Sequence, residues 1–270
     1  MNRIDQKFAE LREKRQTAFI PFLTIGDPDV RTSIDIIKEL EKGGASIVEL
    51  GVPYSDPLAD GPVIQRSSGR ALKSNRISIR DVIHAAKQAR EEGCELPFVL
   101  FTYYNPVLQM GLDRIFPILK ENEISGLIIP DLPMEEDQEV RELAEKHGLH
   151  LIPLVAPTSN ERIQRIVSRA SGFVYCVSSL GVTGTRSEFH SGVDEFLKTV
   201  KSVTDLPIAV GFGISNREQV VRFAETCDGI VVGSALVRQV EEVLPLLASE
   251  QTKSQGLLQI RNFVRELVGE

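Results

Sequence analysis

Cysteine is scarce in this chain, long apolar runs are missing, and each shortage removes a class of protein. Only three cysteines occur in 270 residues, Cys94, Cys176 and Cys227, all within or beside apolar runs. An odd number without paired spacing argues against a disulfide framework and for a reducing compartment. The four histidines show no His-x-x-x-His spacing and no Cys-x-x-Cys occurs, so no metal site is expected. No apolar stretch approaches the ~20 residues of a membrane-crossing helix. The N-terminus, MNRIDQKFAELREKR, is charged with scattered apolar residues. It reads as an amphipathic helix rather than a signal peptide, and a cytoplasmic location is expected. No linker or domain boundary interrupts the chain, so residues 1–270 are expected to form one domain. Basic charge is also short. A net charge of −7 with interspersed signs disfavours nucleic acid and anionic membranes as partners. An anionic substrate is then held by local dipoles, not by the field of the whole protein.

What is present is ordinary globular composition, 42% hydrophobic and 26% charged, in a regular rhythm. Ile4, Phe8 and Leu11 lie at helical spacing in a first helix over 2–14. Strands are expected at 18–25, 46–51, 96–103, 125–129, 150–155, 172–177, 207–211 and 229–232. Helices follow them at 30–42, 64–73 with 78–92, 112–122, 135–146, 161–168, 193–203, 216–225 and 235–248, and a last one at 257–268. The strands are short and continuously apolar, as strands buried on both faces should be. Eight strand–helix units in this length point to a single (β/α)8 barrel of the TIM type, with an extra N-terminal helix and additional helices. The doubly wound alternative needs a Gly-x-Gly-x-x-Gly turn after its first strand. Ile25-Gly-Asp-Pro-Asp stands there instead.

The run Ser46 to Pro62 stands out. Glu49 sits inside its apolar strand, where an ionised carboxylate would cost several kcal/mol, so it is paired, neutral or useful. Asp60 follows in the loop, ahead of Gly61-Pro62. Active sites of such barrels lie at the strands' C-terminal ends. Thr24, Tyr103, Asp131, Tyr175 and Phe212 are also at strand ends and are expected to face the same mouth. Together they describe an apolar pocket with carboxylates, suited to a flat aromatic substrate. Three glycine-rich loops complete it: Ser179 to Arg186 after the sixth strand, Gly211 to Ser215 after the seventh, and Gly233-Ser234 opening a helix after the eighth. Glycine lets backbone N–H groups approach an anion, and a helix start adds a favourable dipole. A phosphate grip is expected here, with the loop after the sixth strand as a mobile lid.

These motifs resemble one family closely, the α subunit of tryptophan synthase, the indole-glycerol-phosphate lyase. The matching residues are Phe22 to Pro28, Glu49 to Pro62, Thr102 to Pro106, Pro130 to Pro133, Gly181 to Gly184, Gly211 to Gly213 and Gly233 to Ala235. The resemblance implies aldol cleavage of indole-3-glycerol phosphate to indole and glyceraldehyde 3-phosphate. It implies Glu49 as acid/base and Asp60 as the partner of the indole nitrogen. Phe22, Leu100, Tyr175 and Phe212 would line the indole pocket. Gly184, Gly213, Gly233 and Ser234 would hold the phosphate, and Thr183 would couple the lid to Asp60. The resemblance implies no cofactor in this chain, pyridoxal phosphate in a partner β subunit, and an α2β2 heterotetramer. Asp56, Pro57, Asn105 and Pro133 would lie near that interface. Two alternatives stay open: a non-catalytic allosteric partner of a β subunit, and another phosphate-binding barrel enzyme. An indole-glycerol-phosphate synthase needs a strand-end lysine, and no strand here carries one.

Overall fold

Every strand pair in the sheet is parallel. The structure is a computed structural model that describes residues 2–178, 192–211 and 213–269. Most of the loop after the sixth expected strand, with Thr183 and Gly184, lies outside the described residues, as does Phe212. The strands are β1 (Ala18–Thr24), β2 (Val48–Gly51), β3 (Phe98–Phe101), β4 (Ile124–Ile128), β5 (His150–Leu151), β6 (Leu154–Val155), β7 (Val174–Val177), β8 (Ile208–Gly211) and β9 (Gly229–Val232). Their order is β5-β4-β3-β2-β1-β9-β8-β7-β6.

The two ends of that order, β5 and β6, are halves of one strand separated by Ile152 and Pro153. Ile152 N–H donates to Leu127 O of β4 at 2.8 Å, and Tyr175 N–H of β7 donates to Pro153 O at 3.0 Å. The segment thus bonds to β4 on one side and to β7 on the other, and the sheet closes as the expected eight-stranded barrel. Pro153 has no N–H, which is why the strand is split.

Side chains alternate across each strand. Ile20, Phe22, Val99, Phe101, Ile128, Tyr175, Ala209 and Val231 share the inner cluster. Leu23, Leu50, Leu100, Leu127, Cys176 and Val210 belong to the outer layer against the helices. The helices are α1 (Arg3–Glu13), α2 (Val30–Lys42), α3 (Pro62–Asn75), α4 (Ile79–Glu91), α5 (Tyr104–Met110), α6 (Leu112–Glu121), α7 (Gln138–Lys146), α8 (Asn160–Val167), α9 (Val193–Ser202), α10 (Arg217–Ala224), α11 (Ser234–Leu247) and α12 (Lys253–Val268). Helix α5 is the element the sequence did not announce. Asn105-Pro106 reads as a turn, yet proline in a helix's first turn removes no intrahelical hydrogen bond.

Helix α1 closes the barrel at the strands' N-terminal ends. Asn2 caps it, its side chain accepting from Ile4 N–H at 2.8 Å, and donates to Ser125 O at the start of β4 at 2.7 Å. Ile4, Phe8 and Leu11 enter the inner cluster, and the Phe8 ring lies 5.5 Å from that of Phe173. Truncating Phe8 leaves a void in the barrel floor. Phe8→Ala is expected to lower unfolding stability by about 3 kcal/mol. Urea denaturation of the two chains measures it, and a loss of only a few tenths of a kcal/mol would show that α1 is not a structural plug.

Candidate active site

At the other end of the barrel the strands' C-terminal residues surround a pocket. Phe22, Glu49, Phe101, Tyr175 and Val231 reach it from the strands, and Asp60, Ile64, Gly213, Gly233 and Ser234 from loops and helix starts. Two glycines make room for the rings. A Cβ on Gly51 would collide with the Phe22 ring, and one on Gly211 with the Tyr175 hydroxyl. A larger residue at either strand end would push an aromatic wall out of place.

Glu49 stands in register between Phe22 of β1 and Val99 of β3. Its side chain points into the barrel and is 1% exposed. Among the described residues its Oε1 has no hydrogen-bond partner. Burial pushes its pKa well above the usual carboxylate range, which favours the protonated, neutral form. Such a group both gives and takes a proton, provided a substrate atom reaches it.

Asp60 is treated differently. It too is buried, but it accepts a hydrogen bond from the Tyr103 hydroxyl at 3.1 Å. That hydroxyl oxygen in turn accepts from Ala59 N–H at 3.0 Å, and the Tyr103 ring stacks on Tyr54 at 4.8 Å. Burial raises the Asp60 pKa to about 6, with the Tyr103 hydrogen bond pulling against it. Burial thus acts on both carboxyls, but among the described residues only that of Asp60 is opposed by a hydroxyl donor. Two carboxyls whose environments separate their pKa values can take separate roles.

The pocket's glycine side is built on helix α11. Gly233 is its N-cap and Ser234 its first residue, with no acid in the first turn. The unpaired N–H groups of that turn favour an anion. Gly213 adopts a φ of +96°, a conformation glycine adopts without strain. An ion network holds α11 beside α3. Arg70 of α3 bonds the buried Asp27 at 2.9 and 2.7 Å and Glu241 of α11 at 2.6 Å. Arg66 adds two bonds to Glu241 at 2.9 and 2.7 Å.

Of the residues expected at the site, Glu49, Asp60, Phe22, Tyr175, Gly213, Gly233 and Ser234 meet in this pocket. Leu100 does not. It belongs to the outer layer, because inward-facing positions in β3 alternate from Val99 to Phe101. Asp131 is also elsewhere. Its Oδ1 accepts from Tyr104 N–H at 2.9 Å, at the start of α5. Sequence reasoning missed Phe101, Ile64 and Val231 as pocket walls, and Tyr103 as the partner of Asp60. The signal for Phe101 was parity, since an inward Glu49 puts its register partner Val99 inward and Phe101 two residues on.

Fold and mouth together define a (β/α)8 barrel with two buried carboxyls at the C-terminal ends of its strands and in the loop above them. The chain matches the sequence profile of the tryptophan synthase alpha chain over residues 8–268, and it belongs to that family. It is 51% identical to the tryptophan synthase alpha chain of Bacillus subtilis over 251 residues, 93% of this chain and 94% of that one. It is 50% identical to that of Geobacillus kaustophilus over 249 residues, 92% of each chain. A Mycobacterium tuberculosis tryptophan synthase structure superposes with a TM-score of 0.87 at 36% identity, covering 99% of this chain and 97% of that one. The alpha subunit of Legionella pneumophila gives a TM-score of 0.83 at 35% identity, covering 98% of each. The activity is the alpha reaction of L-tryptophan biosynthesis, a carbon–carbon lyase step that cleaves indole-3-glycerol phosphate to indole and glyceraldehyde 3-phosphate. It uses no cofactor of its own.

Because the Tyr103 hydrogen bond favours the ionised form of Asp60, removing it should move the titration upward. Tyr103→Phe is expected to raise the Asp60 pKa above its value of about 6. Carboxyl-carbon NMR of the two chains across that pH range reads the shift. A downward or absent shift would mean that the hydroxyl does not support the carboxylate.

Proposed function

We propose that Glu49 moves both protons of the alpha reaction and that Asp60 stays ionised to hold the indole nitrogen. One observation carries this reading. A buried carboxyl, pushed toward its neutral form and with one oxygen unpaired among the described residues, shares a pocket with a second carboxyl that a tyrosine hydroxyl helps to ionise.

The indole lies among Phe22, Phe101 and Tyr175, and the phosphate lies on Gly213, Gly233 and Ser234, with Phe212, Thr183 and Gly184 as further contacts. Glu49 first gives its proton to indole C3. The ring becomes an indolenine cation with its positive charge at nitrogen, and the Asp60 carboxylate accepts the hydrogen bond of that N–H. Glu49, now a carboxylate, takes the proton from the hydroxyl on the neighbouring carbon. The carbon–carbon bond breaks as that oxygen becomes the aldehyde of glyceraldehyde 3-phosphate. The bonding pair returns to the ring, indole leaves, and Glu49 is again protonated. The substrate's own ring is the electron sink.

The protein is proposed to work as the α half of an α2β2 assembly, with pyridoxal phosphate in the β subunit. A tryptophan synthase complex from Pyrococcus furiosus has a TM-score of 0.83 and 34% identity to this chain. The loops around the mouth fit such a docking face. Asp56, Asn105 and Pro133 are exposed and Pro57 half-buried, and beside them Leu58 and Leu108 are 76% and 48% exposed. Two large apolar side chains in water at the rim suit a protein partner. No helix of the described residues is long and apolar enough to cross a membrane, and the cytoplasm is the proposed location.

Glu49→Gln keeps the shape and the neutral charge of the resting acid. It is expected to cut indole release from indole-3-glycerol phosphate by about a thousandfold with little change in melting temperature. Near-normal turnover would remove Glu49 from the reaction. At the phosphate end, the nearest atom to a Cβ on Gly233 is 3.7 Å away, so a side chain fits. Gly233→Asp should raise KM by about tenfold or more and leave kcat less affected, because a like charge faces the phosphate. Steady-state kinetics separate the two constants, and an unchanged KM would count against a phosphate there.

A further inference from the structure

The split fifth strand has a second effect. Beyond the bond from Ile152 N–H to Leu127 O, the described pairing of β4 with this strand ends at Leu127 and Leu151, and the next residue, Pro153, turns its carbonyl to β7 instead. A cavity of about 220 Å³ opens at this seam, under the β4–α7 loop and against α8. It shares no lining residue with the catalytic mouth.

The cavity has an apolar floor and a cationic wall. Ile129, Leu151, Leu154 and Ile166 supply the floor, and Arg141, Arg162 and Arg169 the wall. Two of the guanidiniums are matched. Arg162 bonds Glu135 at 2.8 and 3.3 Å, and Arg169 bonds Asp137 Oδ1 at 2.6 Å. Arg141 is left over. Its Nε is buried and, among the described residues, donates no hydrogen bond. The nearest acid oxygen, Asp137 Oδ1, is 3.7 Å away and is the one Arg169 already occupies. Three cations here share two carboxylates, and the Arg141 Nε–H is buried without a hydrogen-bond partner among the described residues. An orphaned buried donor of this kind calls for an acceptor.

We propose that this seam cavity is a second ligand site, separate from catalysis, that takes a small monoanion with an apolar body, such as an arylalkanoate. The carboxylate would accept from Arg141 and neutralise the third cation, and the ring would lie on the isoleucine and leucine floor. The volume is below the ~300 Å³ at which pockets for drug-sized ligands begin, which fits one ring with a short acidic tail.

The test is a methyl-NMR titration of the full chain, labelled at isoleucine, leucine and valine, with 3-phenylpropionate and with its neutral amide. Saturable shifts are expected at Ile129, Leu154 and Ile166, with a Kd on the order of 1 mM. The amide should bind about tenfold more weakly or worse, and so should the acid to Arg141→Met, which keeps the side-chain stem but not the charge. Indole formation by Arg141→Met should be unchanged. Equal affinity for acid and amide overturns the proposal, as do shifts confined to Ile64 and Val231 at the mouth. Unchanged affinity in an Arg141→Met chain that melts normally overturns it as well. The acid–amide comparison uses the unmodified chain, so the proposal stays testable even if the variant does not fold.

Discussion

A carboxyl kept dry inside the barrel is the constraint on which the rest of this structure depends. Glu49 is 1% exposed and, among the described residues, has an unpaired oxygen, and leaving a polar atom in that state costs on the order of 1–3 kcal/mol. The fold must keep water out to maintain it. Helix α1 closes one end of the barrel with Ile4, Phe8 and Leu11, and the rings of Phe22, Phe101 and Tyr175 wall the other. Gly51 and Gly211 are part of the same arrangement, because any side chain there would displace two of those rings.

The contrast between the two carboxyls follows from small differences in surroundings. Both are buried, and burial raises both pKa values. Among the described residues only Asp60 has a hydroxyl donor, Tyr103, itself set by Ala59 N–H and by stacking on Tyr54. One hydrogen bond opposes at Asp60 the burial that at Glu49 acts alone. The helix side of the mouth is held by charge instead, through Asp27, Arg70, Glu241 and Arg66. Closing the barrel also has a weak point. The fifth strand bonds to neighbours on both sides, Pro153 interrupts its ladder, and the cavity lined by Arg141 lies beside that interruption.

Much of this was legible beforehand. The β–α rhythm was, because buried parallel strands and amphipathic helices leave different periodicities. Most expected elements, such as the helix at 30–42 and the strand at 229–232, recur within a few residues of their bounds. Glu49 and Asp60 were legible because an acid within an apolar strand is chemically conspicuous. Helix α5 was not, because Asn105-Pro106 carries the signature of a turn. Leu100 was placed on the wrong side of β3. Phe98 to Phe101 is apolar at every position, and a strand buried on both faces has no polar residue to mark which side is in.

The sequence by itself determined the strand–helix order, the presence of two unusual acids at one end of a barrel, and the glycines that let rings and anions come close. These are local properties, set by spacing and residue type within a few positions. Only the tertiary structure decided that Phe101 rather than Leu100 faces the pocket, that Tyr103 serves Asp60, and that Glu49 Oε1 and Arg141 Nε have no hydrogen-bond partner among the described residues. Those outcomes depend on register and on contacts between residues far apart in the chain. A one-residue slip in pairing reverses every side chain of a strand, and no local pattern in a uniformly apolar strand prevents that slip.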